Sequence, residues 1–295
     1  MEFTATATIN SLYWITSLHE NEAGVSRRVL EDLEPICREL ELPFRSYSPQ
    51  SAKDLLAALD QIAENTRAGA RPLVHLDLHG CAKDGILVAA TGESVGWPEL
   101  ADKFRTINVA SQNNLCVVSG ACFSFQVVGE IDINKVVPFF VLLAPEQEIS
   151  AGDIEERTVG FYKAMLSKVD ILAAKSEWFP DQVRVFHCEE MLAVVLAKYI
   201  NQAGIGRQLE RRKEELVTTA IQDGVPNTRT NRRLLRKRAK KLITPTEDLI
   251  QRYRPTFLAG KQPGFTIAQL KKLVVEARAE GIKPNGPYTE AVKKL

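Results

Sequence analysis

Apolar residues along this chain follow two rhythms, and the switches between them outline the fold. Runs of strand length at 7–17 (ATINSLYWITS), 72–80 (PLVHLDLHG), 115–122 (LCVVSGAC), 136–144 (VVPFFVLLA) and 183–188 (VRVFHC) stop at small or turn-forming residues. The run at 136–144 is continuously apolar and ends at Pro145, the pattern of a strand buried on both faces. Between the runs the period lengthens. From Glu22 to Leu40, Val25, Val29, Leu33, Ile36 and Leu40 recur at helical spacing, and Pro43 follows the end. PFRSYS at 43–48 reads as a short strand, Ser51 as the cap of a helix through Ile62, and Gly69 as part of its closing turn. Residues 85–90 and 93–97 flank Thr91-Gly92 as a hairpin does. Further helices are expected from Pro98 to about Ile107, from Asp153 to Leu172 and from Glu189 to Ile200. Strands alternating with helices imply parallel strands joined by right-handed crossovers, so the expected class is α/β with a mostly parallel central sheet.

Beyond Gly206 the pattern changes to basic helices separated by turns: 208–221, 228–243, a third opened by Thr244-Pro245, and a fourth from Thr266 to Glu280 closed by Gly281. The expected organisation is a first domain over 1–203 and a basic helical domain over 204–295. Charge follows the same division. The net charge is only +1, yet residues 1–200 hold 17 basic and 28 acidic side chains and 201–295 hold 21 and 9, giving −11 and +12. Such a split marks regions with different partners, or regions that attract each other.

Composition narrows the class. At 295 residues, 45% hydrophobic and 25% charged, the chain is that of an ordinary globular protein. No run of eighteen apolar residues predicts a membrane span, and the start MEFTATATINSLYW lacks the basic and apolar blocks of a signal peptide. The five cysteines (37, 81, 116, 122, 188) are odd in number and scattered, which suggests free thiols in a reducing, cytoplasmic compartment. None shows CxxC spacing, so no metal and no cofactor are expected.

Two of the predicted strands end in reactive side chains, His79 on the first and Cys122 on the second. In an open parallel sheet both reach the carboxyl edge, where groups from neighbouring strands meet. A cysteine and a histidine so delivered are the parts of a thiol nucleophile and its proton donor. The other reading is a buried small hydrophobe and a turn residue, as most lone cysteines and histidines are.

The block from Leu73 to Ser124 resembles the catalytic core of the caspase-like peptidases: LDLHG, then a hairpin and helix, then VVSGACFSF, with 43 positions from His79 to Cys122. The insert is most similar to that of the bacterial members known as CHAT domains. The resemblance covers about residues 5–200. It implies a three-layer α/β/α domain, an intracellular cysteine endopeptidase acting on polypeptides, and a switch by a partner protein or by ordering of active-site loops, as in effectors of bacterial defence systems. It also implies roles: Cys122 attacks the scissile carbonyl, His79 protonates the leaving amine as general acid, and the backbone N–H groups of Gly80 and Cys122 form the oxyanion hole.

Around that pair the residues are less specific. Asp77 shares the face of His79 and either orients it or simply accepts a hydrogen bond, while His75 lies inside the strand as a core or supporting histidine. Cys81 follows His-Gly without any mark of activation, and His187 with Cys188 reads as core. The caspase group has Gln or Asp two places before the nucleophile, where this chain has Gly120, so no substrate preference carries over. Asp84, Glu146, Glu148 and Asp153, in loops at the same edge, are candidates to receive a basic substrate side chain or are merely solvated acids.

The run TNRRLLRKRAKK has three readings. Arg232, Arg233, Arg236, Lys237, Arg238, Lys240 and Lys241 neutralise the phosphates of a nucleic acid, face solvent or a protein partner, or dock on the acidic first domain. The rival to a peptidase is a catalytically inactive caspase-like scaffold whose basic helices bind nucleic acid or a partner.

Overall fold

The fold is that of a computed structural model, which describes residues 7–168, 170–179 and 183–279. Packing divides the chain into two compact units, one of 3–188 with 255–262, the other of 189–254 with 263 onwards. This border lies ahead of the one drawn at 203. The expected turn at Gly281 and the segment PYTEAVKKL fall outside the described residues.

The first unit is α/β, as its alternating rhythm predicts. β1 (Ser11–Ser17), β2 (Phe44–Tyr47), β3 (Pro72–Cys81), β6 (Cys116–Ser119), β7 (Val141–Pro145) and β8 (Val183–His187) form a sheet in the order β2-β1-β3-β6-β7-β8. All pairs are parallel except β7 with β8. β6 and β7 are buried at every position and β3 from Pro72 to Leu78, so both faces of the centre are covered. Helices α1 (Ala23–Glu39) and α4 (Ala151–Lys168) pack together, as do α2 (Ala52–Arg67) and α3 (Trp97–Ala110), an arrangement consistent with three layers.

Several local expectations are sharpened. α1 buries Ser26, Val29, Leu33 and Cys37 and leaves Leu40 half exposed, so the stripe is rotated from the one the large apolar residues drew. Ser51 caps α2 by accepting from the Asp54 N–H at 3.1 Å, and the helix runs on to Arg67. The long helix expected over Asp153 to Leu172 is two helices: the Asp170 carboxylate accepts from Leu172 and Ala173 N–H, each at 3.0 Å, and starts α5 (Ile171–Trp178). The apolar run at 136–144 becomes strand only from Val141, although Val137, Phe139 and Phe140 before it are equally buried. β3 does not stop at His-Gly. It continues to Cys81 and pairs with β4 (Gly85–Val88), which pairs with β5 (Glu93–Val95), a ribbon rising from the carboxyl edge of the sheet.

The second unit is helical, with α6 (Cys188–Tyr199), α7 (Gly206–Gln222), α8 (Arg229–Ile243), α9 (Glu247–Thr256) and α10 (Ile267–Ala279). α6 begins and α9 ends at the packing border. α7 and α8 pack side by side, and Arg236 of α8 forks onto the Glu214 carboxylate of α7 at 2.8 and 2.9 Å. Its buried apolar set is drawn largely from α6 with the residue after it and from α10 with the segment before it, including Leu192, Leu196, Ile200, Phe265, Ile267 and Leu270, while α7, α8 and α9 add Val217, Ile243 and Ile250. No helix among the described residues is long and apolar enough to cross a membrane.

Candidate active site

β3 outruns its neighbours. β1 pairs with it only to Leu78 and β6 only to Leu76, so His79 stands where the strand leaves the sheet, paired instead with Leu87 of β4. β6 ends one turn away. The Gly120 N–H prolongs the ladder to the Leu76 carbonyl at 2.8 Å, and Ala121 N–H donates to the Ser119 hydroxyl at 3.2 Å. Ser124 closes the turn by donating to the Ala121 carbonyl at 2.6 Å. Between them Phe123 sits in the left-handed region at φ 59°, a conformation bulky residues adopt at a cost of about 1–3 kcal/mol and one that collects at functional sites. The SGACFS turn is therefore a fixed corner rather than the strand end that its apolar pattern suggested.

The two corners touch. A Cβ built on Gly80 falls 2.0 Å from the Cys122 carbonyl oxygen and 3.1 Å from its carbon, so backbone lies directly on backbone and only glycine fits. Cys122 is half-buried. Its Sγ receives the Ile149 N–H at 3.4 Å, a donor from the loop after β7 that no local pattern marks. His79, Gly80, Gly120 and Cys122 are thus brought to one edge.

The residue that holds His79 is not Asp77. Asp77 is buried, accepts from the Thr16 hydroxyl at 3.2 Å and from the Ser26 hydroxyl, and burial pushes its carboxyl up. The carboxylate on His79 is Glu22, with Oε2 2.8 Å from Nε2. That hydrogen bond holds the Glu22 carboxyl below its ordinary range. It also explains why Glu22, at the N-cap of α1, makes no side-chain cap. Beside it the His19 ring lies 5.7 Å from that of His79. Neither residue carries a signal in the sequence, because a loop some sixty residues upstream has no periodic relation to a strand end.

Two of the four acidic loop candidates, Glu146 and Asp84, are engaged. Glu146 is bound through both oxygens by Arg184 at 2.7 and 2.8 Å, and that guanidinium lies over the Phe125 ring at 4.9 Å. Asp84 accepts the Cys81 thiol at 3.2 Å. Glu148 is exposed, and Asp153 is in α4 rather than in a loop. His75 is core: it stacks on Trp14 at 3.6 Å, bonds the Tyr162 hydroxyl at 2.8 Å through Nδ1, and burial lowers its pKa to about 3. Burial likewise raises Cys37 to about 11 and Cys116 to about 12, thiols that stay protonated and inert. His187 and Cys188 are buried as expected.

In the second unit, Arg232, Arg233, Lys237, Arg238, Lys240 and Lys241 are exposed along α8, whereas Arg236 is paired with Glu214. No protein-family model matches the chain, and no curated protein matches it.

Proposed function

We propose that the chain is a caspase-like cysteine endopeptidase. The observation that supports it most is the contact between Gly80 and Cys122, which lays the His-Gly corner of β3 against the cysteine corner of β6. In this reading the Cys122 thiolate attacks the scissile carbonyl carbon. The developing oxyanion accepts from the Gly80 and Cys122 N–H groups, and His79 gives its proton to the departing amine. Water then cleaves the thioester with His79 as base. Glu22 is a positioning residue that fixes the ring through Nε2, and the Ile149 N–H gives the sulfur a donor. The substrate is a polypeptide. The compartment is the bacterial cytoplasm, a protein partner sets activity, and the setting is a defence system.

The experiment is intact-mass analysis after exposure to peptidyl chloromethyl ketones of varied first side chain. One adduct on Cys122, absent in His79→Ala, is the expected result. No adduct, or one on Cys81, would sink the assignment. A second reading is supported by the exposed row on α8: an inactive scaffold that binds nucleic acid through it. Its mark is binding of labelled DNA or RNA that weakens by orders of magnitude between low and physiological salt, in a protein that takes no adduct.

A further inference from the structure

Around His79 the edge carries a constellation that peptide hydrolysis uses only in part, since it has no role for His19. His19, Glu22 and His79 each offer one ligand atom, and these atoms lie within 4.8 Å of one another. The geometry points to a site for one divalent transition-metal ion of the zinc class on these three residues, and its occupation ties up His79, the general acid of the peptidase reading. The binding stands on the geometry; its effect on activity rests on the peptidase reading.

The distances suit such an ion. Four ligands tetrahedrally placed at about 2.0–2.1 Å lie about 3.4 Å apart. The Glu22 and His79 atoms, at 2.8 Å, have to open by about 0.6 Å, and the wider separations have to close by about 1.4 Å at most. The side chains have that freedom. His19 is exposed, and the side chains of Glu22 and His79 are 41% and 38% accessible, so the set closes without repacking the core.

The backbone is already in place. The Glu22 and Ala23 N–H groups both donate to the His19 carbonyl, at 2.9 and 3.0 Å, so one hydrogen-bonded turn presents His19 and Glu22 together. β4 fixes the third residue through the pairing of His79 with Leu87. The donor set decides the class of ion. Two imidazoles with one carboxylate suit zinc, cobalt or nickel and leave a position for water, whereas calcium and magnesium call for oxygen. No spacing in the sequence announces it, because the third ligand comes from another element.

Occupation has a defined consequence. Zinc bound through Nε2 takes that nitrogen's lone pair and replaces its hydrogen bond to Oε2, so the ring no longer serves as a proton carrier. The proton that the leaving amine needs is then missing, while the Cys122 turn is untouched.

The test uses the full chain with cobalt and zinc salts. One equivalent of Co(II) should give visible d–d bands without the near-ultraviolet band of cobalt–thiolate bonding. His19→Ala, a change at an exposed side chain, should lower zinc affinity about tenfold or more against a chromogenic chelator, with an unaltered circular dichroism spectrum. Cys122→Ser should leave that affinity as it was. A thiolate band, or affinity indifferent to His19→Ala, would overturn the site. Zinc should also stop hydrolysis by the wild type, reversibly with chelator, at concentrations where His19→Ala still hydrolyses. Zinc-loaded wild type working at the metal-free rate would overturn the inhibition. Should the metal-free protein take no chloromethyl ketone adduct on Cys122 while the cobalt and affinity results hold, the metal site stands and the peptidase reading falls.

Discussion

On β3, His75 and His79 face the same side of one strand, four residues apart, in opposite chemical conditions. His75 is stacked on Trp14 with its pKa lowered to about 3, and among the described residues its Nε2 has no hydrogen-bond partner. His79 is part-exposed and held by a carboxylate. β6 repeats the contrast. Cys116 is buried with its thiol raised to about 12, and Cys122, just past the strand's end, is half-open and touched by an amide N–H. The same residue type is inert inside the sheet and available at its edge, because desolvation penalises the charged form wherever both faces are covered. The edge differs from the interior because β1 and β6 no longer flank β3 there and β6 itself has ended.

The largest expected effect breaks the contrast on β6. Cys122→Ala should reduce peptide hydrolysis by on the order of 10⁴ or more, while Cys116→Ala keeps most of it. Equal losses in a steady-state assay would put the nucleophile elsewhere. Next comes β3. His79→Ala should lower kcat by about 10²–10⁴ with little change in thermal midpoint, since a general acid acts in the transition state and the side chain is part-exposed. An unchanged kcat removes it from the mechanism.

Gly80→Ala probes the contact that joins the two corners. Its methyl would meet the Cys122 carbonyl oxygen, so backbone must move and the oxyanion donors with it; a loss of about 10²–10³ in kcat is expected. Wild-type kcat in this variant would show that the approach is irrelevant to turnover.

The smallest effect sharpens the interior side. His75 binds its proton in the unfolded chain at its ordinary pKa of 6.5 but in the fold only near 3, so unfolding takes up a proton between those values. Stability is therefore unaffected by His75 above pH 6.5. It should fall as the pH drops below that value, by about 1.4 kcal/mol per pH unit, or about 2 kcal/mol by pH 5. Urea titrations should show this slope in the wild type and its loss in His75→Phe. A slope that survives the substitution belongs to other groups.

Much of the site was legible and some of it was not, for one reason. Cys122, His79 and Gly80 announce themselves as candidates because each sits where an apolar run of strand length meets small residues, a local pattern. Glu22, His19 and Ile149 stand in loops without periodicity, and only the closing of the sheet brings them to the edge. Asp77 had two roles open to it, orienting His79 or accepting a hydrogen bond, and the structure holds the second for a related cause. Strand alternation places it on the face of His79, but Thr16 and Ser26 of other elements claim its carboxylate.

By itself the sequence determined most element types, the alternation that yields an α/β unit with parallel strands and the basic helices after it. All of these are written within ten or twenty neighbouring residues, in period, capping and composition. The tertiary structure alone decided the strand order, the antiparallel edge strand and the partner of each polar group. It also decided that Pro255–Gln262, which reads as part of the basic tail, belongs with the α/β unit: Phe257 and Leu258 are fully buried, and the Phe257 carbonyl accepts the Val137 N–H at 3.0 Å. Such pairings are settled by which surfaces bury apolar area and satisfy backbone groups across long separations, and no window of sequence contains both sides of that contact.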